Sequence, residues 1–330
     1  MQTSEILLKI EHLTTSFYTR KGIATAVSDV SIDVPRGRTV GLVGESGCGK
    51  SMTAMSVMRL VPPPGKLDQG SIMLNDTELT TLSKRAMRQI TGNRISMIFQ
   101  EPMTSLNPVH TCGKQVMEAI MLHQHTSRRE AKRRVIGMFE QVGIPEPARR
   151  FDAYPHQLSG GLRQRVMIGM AMVCSPDLLI ADEPTTALDV TIEAQILRLM
   201  KALQRDHGTS ILMITHNLGV VAEICDIVYV MYAGQVVEKA NVFQLFKDPC
   251  HPYTNGLIES LPSTKVDDQL RLKSIPGMVP NLLQMPKGCR FAPRCDKATP
   301  RCRLEAPALY RREGGHSVRC FLYESEAMEQ

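Results

Sequence analysis

A chain of 330 residues, 43% hydrophobic and 22% charged, is long enough for one large or two ordinary globular domains with a sizeable core. It has no uncharged apolar run of about 18 residues, and its opening MQTSEILLKIEHL lacks a basic segment leading into a long apolar one, so neither a membrane-spanning helix nor an ordinary secretory leader is expected. The net charge of +6 is concentrated between Lys287 and Cys320, where nine basic residues face only Asp296, Glu305 and Glu313, which argues against a nucleic-acid-binding face spread over the whole protein.

In chain order, Ile6 to Ile10, Ala26 to Val34 and Thr39 to Val43 read as short strands broken at Gly22, Pro35 and Gly37. The third strand runs into GESGCGKS, Gly44 to Ser51, and then into the helical MTAMSVMRL, which stops before Pro62. Strand, glycine loop and helix, with Gly44, Gly49, Lys50 and Ser51 spaced as GxxxxGK[ST], make the phosphate-cradling Walker A pattern. In such a loop, here Gly44, Glu45, Ser46, Gly47, Cys48 and Gly49, backbone N–H groups curl around the β- and γ-phosphates. Lys50 adds a mobile charge, and the Ser51 hydroxyl ligates Mg²⁺.

GSIMLNDTEL, from Gly70, is a further hairpin-like strand pattern, and RISMIF, Arg94 to Phe99, is a strand closed by Gln100, after which EPMTSLNP breaks regular structure. Residues 111–157 are helical and strongly charged, and the basic run Ser127 to Arg134 reads as a solvated helix face. LSGGLRQR then places Ser159, Gly160 and Gly161 at a helix start, where a serine cap and glycines leave N–H groups for an anion. Leu178 to Ala181 is an apolar run ending in Asp182 and Glu183, as a buried parallel strand delivers carboxylates to its C-terminal edge. An amphipathic helix from Thr191 to Arg205 follows, then a buried strand, Ser210 to Ile214, leading to Thr215 and His216. A hairpin, Ile227 to Tyr232 and Gly234 to Glu238, closes the pattern.

This order of Walker A, strand-end Gln, Ser-Gly-Gly signature, Walker B and His resembles the ABC ATPase family over residues 5–250. The fold implied is α/β: an ABC-type P-loop ATPase, a RecA-like core with an antiparallel β subdomain and an inserted helical subdomain at about 103–170, in a domain spanning 1–250. A small Cys-rich extension occupies 251–330. The resemblance implies a head-to-tail dimer, in which Ser159, Gly160 and Gly161 serve the partner's nucleotide. Lys50, Ser51, Gln100, Asp182, Glu183 and His216 serve this chain's own, with Ser51, Gln100 and Asp182 around Mg²⁺. Glu183 is the expected base that deprotonates the attacking water. His216 and Gln100 sense the γ-phosphate, Asp189 matches the D-loop, and Phe17 is preferred over Tyr18 for stacking on adenine. Two departures stand out: Leu162 where the signature commonly has Gln, and Asn217 where the family usually has Asp, a residue that caps a helix equally well.

Four of the nine cysteines, Cys289, Cys295, Cys302 and Cys320, fall in one short segment where an even spread would place about one. Without a secretory leader they are expected reduced. Their separations of five, six and seventeen residues contain no C-x-x-C knuckle, which disfavours an ordinary zinc ribbon. A 4Fe-4S cluster, whose negative charge the local +6 would offset, is the first reading; Zn²⁺ and uncoordinated core cysteines are the alternatives. PCHPYT at Pro249 and the cysteine segment together resemble the ATP-binding subunits of dipeptide and oligopeptide ABC importers. That resemblance implies ATP as substrate, a position on the cytoplasmic face of the inner membrane, and a second ABC ATPase subunit in a heterodimer. It also implies two transmembrane permease subunits, a periplasmic or extracellular peptide-binding protein, and no nucleic-acid partner. A nickel or other small-solute importer, and a soluble ABC ATPase acting on ribosomes or DNA, are the rival readings.

Overall fold

The computed structural model describes residues 5–100, 105–186, 188–261 and 275–326. The first half of the EPMTSLNP break after Gln100, and the start of the helical subdomain at about 103, lie outside them. The chain divides into two compact units. One takes in Val34–Arg38 and Asn75–Met213 with the start of the chain as far as Leu8; the other takes in Lys9–Asp33, Thr39–Leu74 and everything from Ile214 onward. Among the described residues no helix is long and apolar enough to cross a membrane.

In the first unit, strand Ile95–Ile98 pairs in parallel with Leu178–Asp182, in register Ile95 to Leu178 and Ile98 to Ala181. Every residue of the second strand is buried, as an apolar parallel strand covered on both faces must be. The helices Cys112–His123, Arg128–Gln141, Pro147–Phe151 and Gly160–Met172 pack against one another as a helical layer. Ser127 caps the second of them by accepting from the Glu130 N–H, and Ala131, Val135, Met138 and Phe139 form its buried stripe. Arg128, Arg129, Lys132 and Arg133 are exposed as on a solvated face, whereas Arg134 is half-buried and donates to Gln124 Oε1 and the Val173 carbonyl. Gly113 permits the tightest approach in this layer, since a Cβ there would lie 2.2 Å from the Phe151 ring.

The opening strands, most of whose residues belong to the second unit, are longer than their apolar runs suggest: Ile6–Thr19 and Gly22–Pro35 are fourteen residues each, joined by a two-residue turn, with Gly65–Leu74 beside the first. The reason is that the strand core continues through hydroxyl residues. Thr15 and Ser16 are buried, and Thr15 Oγ1 lies 2.9 Å from Ser56 Oγ, so the polar atoms are satisfied without interrupting the pleat.

Strand Thr39–Val43 pairs in parallel with Ile227–Tyr232, which pairs antiparallel with Gln235–Asn241. The C-terminal segment extends this sheet. Ser317–Val318 pairs antiparallel with Gln235–Asn241, and Tyr310–Arg311 pairs with Ser317–Val318.

A buried polar group fixes that extension. Glu238, fully buried, accepts the Cys250 N–H at 2.7 Å on Oε1 and the His251 N–H at 2.9 Å on Oε2, and its Oε1 lies 2.7 Å from His316 Nε2. The Arg312 guanidinium donates to Cys250 Sγ at 2.7 Å. Burial by itself would lower the His316 pKa, but the Cys250 sulfur and the Glu238 carboxylate outweigh it and raise the value to about 9. The stabilisation from a protonated His316 is therefore complete below the unfolded-state value of about 6.5, declines above it, and is lost as pH rises through about 9. The melting temperature of the full chain is expected to fall between about pH 7 and about pH 9.5, and thermal unfolding of His316→Gln across that range should lack this component.

Candidate active site

The second unit holds the glycine loop. Strand Thr39–Val43, wholly buried, delivers the chain to Gly44, and the helix Lys50–Val57 starts directly after Gly49. Gly44, Gly47 and Gly49 have φ of +153°, +77° and +105°. Two of them also face backbone: a Cβ at Gly44 would meet the Met231 carbonyl oxygen at 2.1 Å, and one at Gly49 would meet that of Ala26 at 2.4 Å. These contacts leave glycine as the residue for both positions and hold the loop in its curl. Lys50 is 5% exposed, and its ammonium donates to the carbonyls of Gly44 at 2.8 Å and Glu45 at 3.0 Å, both within the loop itself. Cys48 is buried against it, and burial pushes its thiol pKa up.

The same unit carries His216, exposed at the residue after strand Ser210–Thr215, and Asn217, which caps the following helix by accepting the Gly219 N–H at 2.9 Å. The cap expected of Asn217 is therefore formed. Phe17 is half-buried, whereas Tyr18 is exposed and donates its hydroxyl to Asp68 at 2.9 Å. The neighbouring tyrosine is thus already engaged at the surface.

The first unit holds the carboxylates and the signature. Asp182 closes the buried strand and is 4% exposed. Glu183, the next residue, has φ of +47°, a left-handed conformation that a glutamate adopts only when its surroundings impose it. Gln100 Nε2 donates to Glu183 Oε2 at 3.0 Å, and the Thr186 hydroxyl donates to the same oxygen at 2.9 Å. Sequence order alone pointed to Gln100; the direct bond to Glu183 is a property of the fold. Ser159 caps the helix Gly160–Met172 by accepting the Leu162 N–H at 3.4 Å, a backbone contact that is indifferent to the side chain at position 162. Ser159 and Gly160 are exposed. Asp189 is exposed at the start of helix Val190–His207. The fully buried Gln164 escapes sequence reasoning: its amide donates to the Pro184 carbonyl and ties the signature helix to the turn that carries Glu183.

The profile of the ABC transporter family matches residues 27–186, and that of the oligopeptide/dipeptide transporter C-terminal region matches residues 237–302. The oligopeptide transport ATP-binding protein AppD of Bacillus subtilis is 51% identical over 98% of this chain and 99% of its own. The chain belongs to the ABC transporter ATP-binding family. The dipeptide transport ATP-binding protein DppD of Escherichia coli is 47% identical over 95% of this chain and 96% of its own. Among solved structures, the ATP-binding cassette MJ0796 bound to ADP and Pi in a post-hydrolysis state superposes with a TM-score of 0.65 at 25% identity. It covers 71% of this chain and 98% of the cassette. The ABC cassette fold, and ATP hydrolysis coupled to transport, follow from this membership.

In the C-terminal region of this ABC protein, Cys289, Cys295, Cys302 and Cys320 line one cavity of about 230 Å³ together with Phe291, Phe321 and Leu322. Burial pushes the Cys289 and Cys295 thiols up, and Cys320 to about 11. Part of the local positive charge is engaged within the protein: Arg294 pairs with Glu45, Arg301 with Glu305 and Glu324, and Arg312 with Glu326.

The glycine loop yields a direct test. Gly49→Ala places a Cβ against the Ala26 carbonyl at a φ that alanine resists, so nucleotide affinity measured by fluorescence titration should fall by at least about tenfold. Gly47→Ala meets nothing within 4 Å and should cost less.

Proposed function

We propose that this chain is the ATP-hydrolysing subunit of an importer of dipeptides or oligopeptides. It would act at the cytoplasmic face of the inner membrane with a second ATPase subunit, two permease subunits and an external peptide-binding protein. The observation that carries this reading is the match to peptide-transport ATP-binding proteins over nearly the full chain, including residues 237–302, which lie beyond the ATPase motifs.

In this reading the Gly44–Ser51 loop cradles the β- and γ-phosphates. Lys50 leaves the loop carbonyls to meet the γ-phosphate, and Glu183 orients a water and takes its proton as the water oxygen bonds to phosphorus. The bond from phosphorus to the β–γ bridging oxygen breaks, and ADP and phosphate leave. Ser51, Gln100 and Asp182 offer a hydroxyl, an amide and a carboxylate, the hard oxygen donors that suit Mg²⁺, which when bound neutralises phosphate charge. Ser159 and Gly161 serve the nucleotide of the second ATPase subunit, which agrees with the exposure of Ser159.

The four tail cysteines are proposed to hold a 4Fe-4S cluster. They line a common cavity, which fits a shared group. A 4Fe-4S cluster is held by four thiolates, the number that this segment carries.

In the assembled transporter, Glu183→Gln should keep ATP binding while peptide-stimulated turnover falls by about 10²-fold or more, because the amide cannot take the water's proton. Native turnover in that variant refutes the base assignment, and stimulation by nickel but not by any peptide refutes the substrate. Anaerobically purified protein should be brown with about four irons per chain, and Cys295→Ser should bleach it. A colourless preparation holding one zinc overturns the cluster.

A further inference from the structure

The residue that precedes Cys295 reaches the glycine loop. Arg294 lies at the end of the short turn Ala292–Arg294, between Cys289 and Cys295, and its side chain is only 5% exposed. Nη1 donates to Glu45 Oε2 at 2.7 Å and Nη2 to Glu45 Oε1 at 3.0 Å, a two-pronged pair with the second residue of the Walker A pattern. Nε donates to the Pro276 carbonyl at 2.8 Å, and Nη2 also to that of Ile275 at 3.2 Å. The guanidinium lies 5.7 Å from the centre of the Tyr232 ring. The fork is therefore held at both ends.

Glu45 has further duties. Its N–H donates to the Tyr253 hydroxyl at 2.8 Å, and its carbonyl accepts from Lys50 at 3.0 Å. The residue that receives the Lys50 ammonium is thus anchored through its side chain by Arg294 and through its amide by Tyr253. A second arginine of the same segment supports the other rim of the loop. Arg290 donates to the Ala233 carbonyl and to Ser28 Oγ, and the adjoining Gly234 N–H donates to the Cys48 carbonyl at 2.8 Å. Phe291, between the two arginines, packs edge-on against Tyr232 with ring centres 5.1 Å apart.

We propose that Arg294 is a positioning residue for ATP: by holding Glu45 it fixes the loop backbone that carries Lys50, and so ties nucleotide affinity to the integrity of the cysteine segment. The proposal rests on the reading of Gly44–Ser51 as the nucleotide loop. Glu45 is only partly exposed, so removing Arg294 leaves a carboxylate short of its charged partner beside incoming phosphates. The partners of Arg294 named above do not include Glu183, Gln100 or Thr186.

The test is ATPase kinetics of the assembled transporter, with the tail monitored by protease protection of residues 275–326. Arg294→Ala should raise KM for ATP by about tenfold while kcat stays within about twofold. Arg294→Lys, which keeps the charge but loses the fork, should fall between. Glu45→Gln should raise KM similarly, and the double variant should be no worse than the worse single, because both remove one interaction. An unchanged KM in Arg294→Ala with a protected tail overturns the proposal. So does a raised KM in Arg294→Ala that Glu45→Gln does not reproduce, since the loss would then come from the tail unfolding. If Lys50→Ala leaves ATP affinity unchanged, the reading of the loop itself fails and takes this proposal with it.

Discussion

The backbone of the glycine loop sits where no side-chain carbon fits. The carbonyls of Met231 and Ala26 come within 2.1 and 2.4 Å of where Cβ atoms of residues 44 and 49 would be, so these two walls set the loop's path. Strand Ile227–Tyr232, which carries Met231, is paired in register with strand Thr39–Val43, which feeds the loop. The sheet therefore fixes the loop at its entry and over its top at once. With the path fixed, the loop's N–H groups have one arrangement to present, and on the proposed reading a phosphate would meet them without the entropic cost of ordering a free loop.

Two buried or partly buried carboxylates extend that constraint to the C-terminal segment. Glu238 takes two backbone N–H groups and His316, and Glu45 takes the fork of Arg294. Such carboxylates tolerate burial only with donors on most of their lone pairs, and here the donors come from residues far along the chain. The strands Tyr310–Arg311 and Ser317–Val318 are two residues each and could not hold a segment by ladder bonds alone. Polar anchoring at buried points does what a longer strand would otherwise do.

The strand, loop and helix of Walker A, the buried strand ending in Asp182 and the cap at Asn217 were legible because each is written within a few consecutive residues. The lengths of the first two strands were not, because Thr15 and Ser16 break the apolar alternation while remaining buried. Gln100 was legible by its order but not by its bond to Glu183, which joins residues 83 positions apart. Arg294 and Glu45 are 249 positions apart, and a basic tail residue reads as charge balance until the fold supplies the carboxylate. Two-residue strands carry no periodicity to detect, so the attachment of the tail to the sheet left no local trace. The four cysteines stood out by density, and only the shared cavity says that they face one space.

Gln100 shows why the residue type at a strand end matters more than its charge. Its amide nitrogen already donates to Glu183 Oε2, the oxygen that Thr186 also approaches, so two neutral donors aim the carboxylate without cancelling its charge. An amide has a second end, and its carbonyl oxygen is the kind of hard donor that Mg²⁺ accepts. A glutamate at position 100 would turn a second negative charge toward Glu183, and a lysine would supply the donor but offset the charge of that carboxylate. An amide at this position aims the carboxylate and leaves its charge intact. On the proposed assignment of Glu183 as the base and Gln100 as a Mg²⁺ ligand, the same amide would link the aim of the carboxylate to the cation.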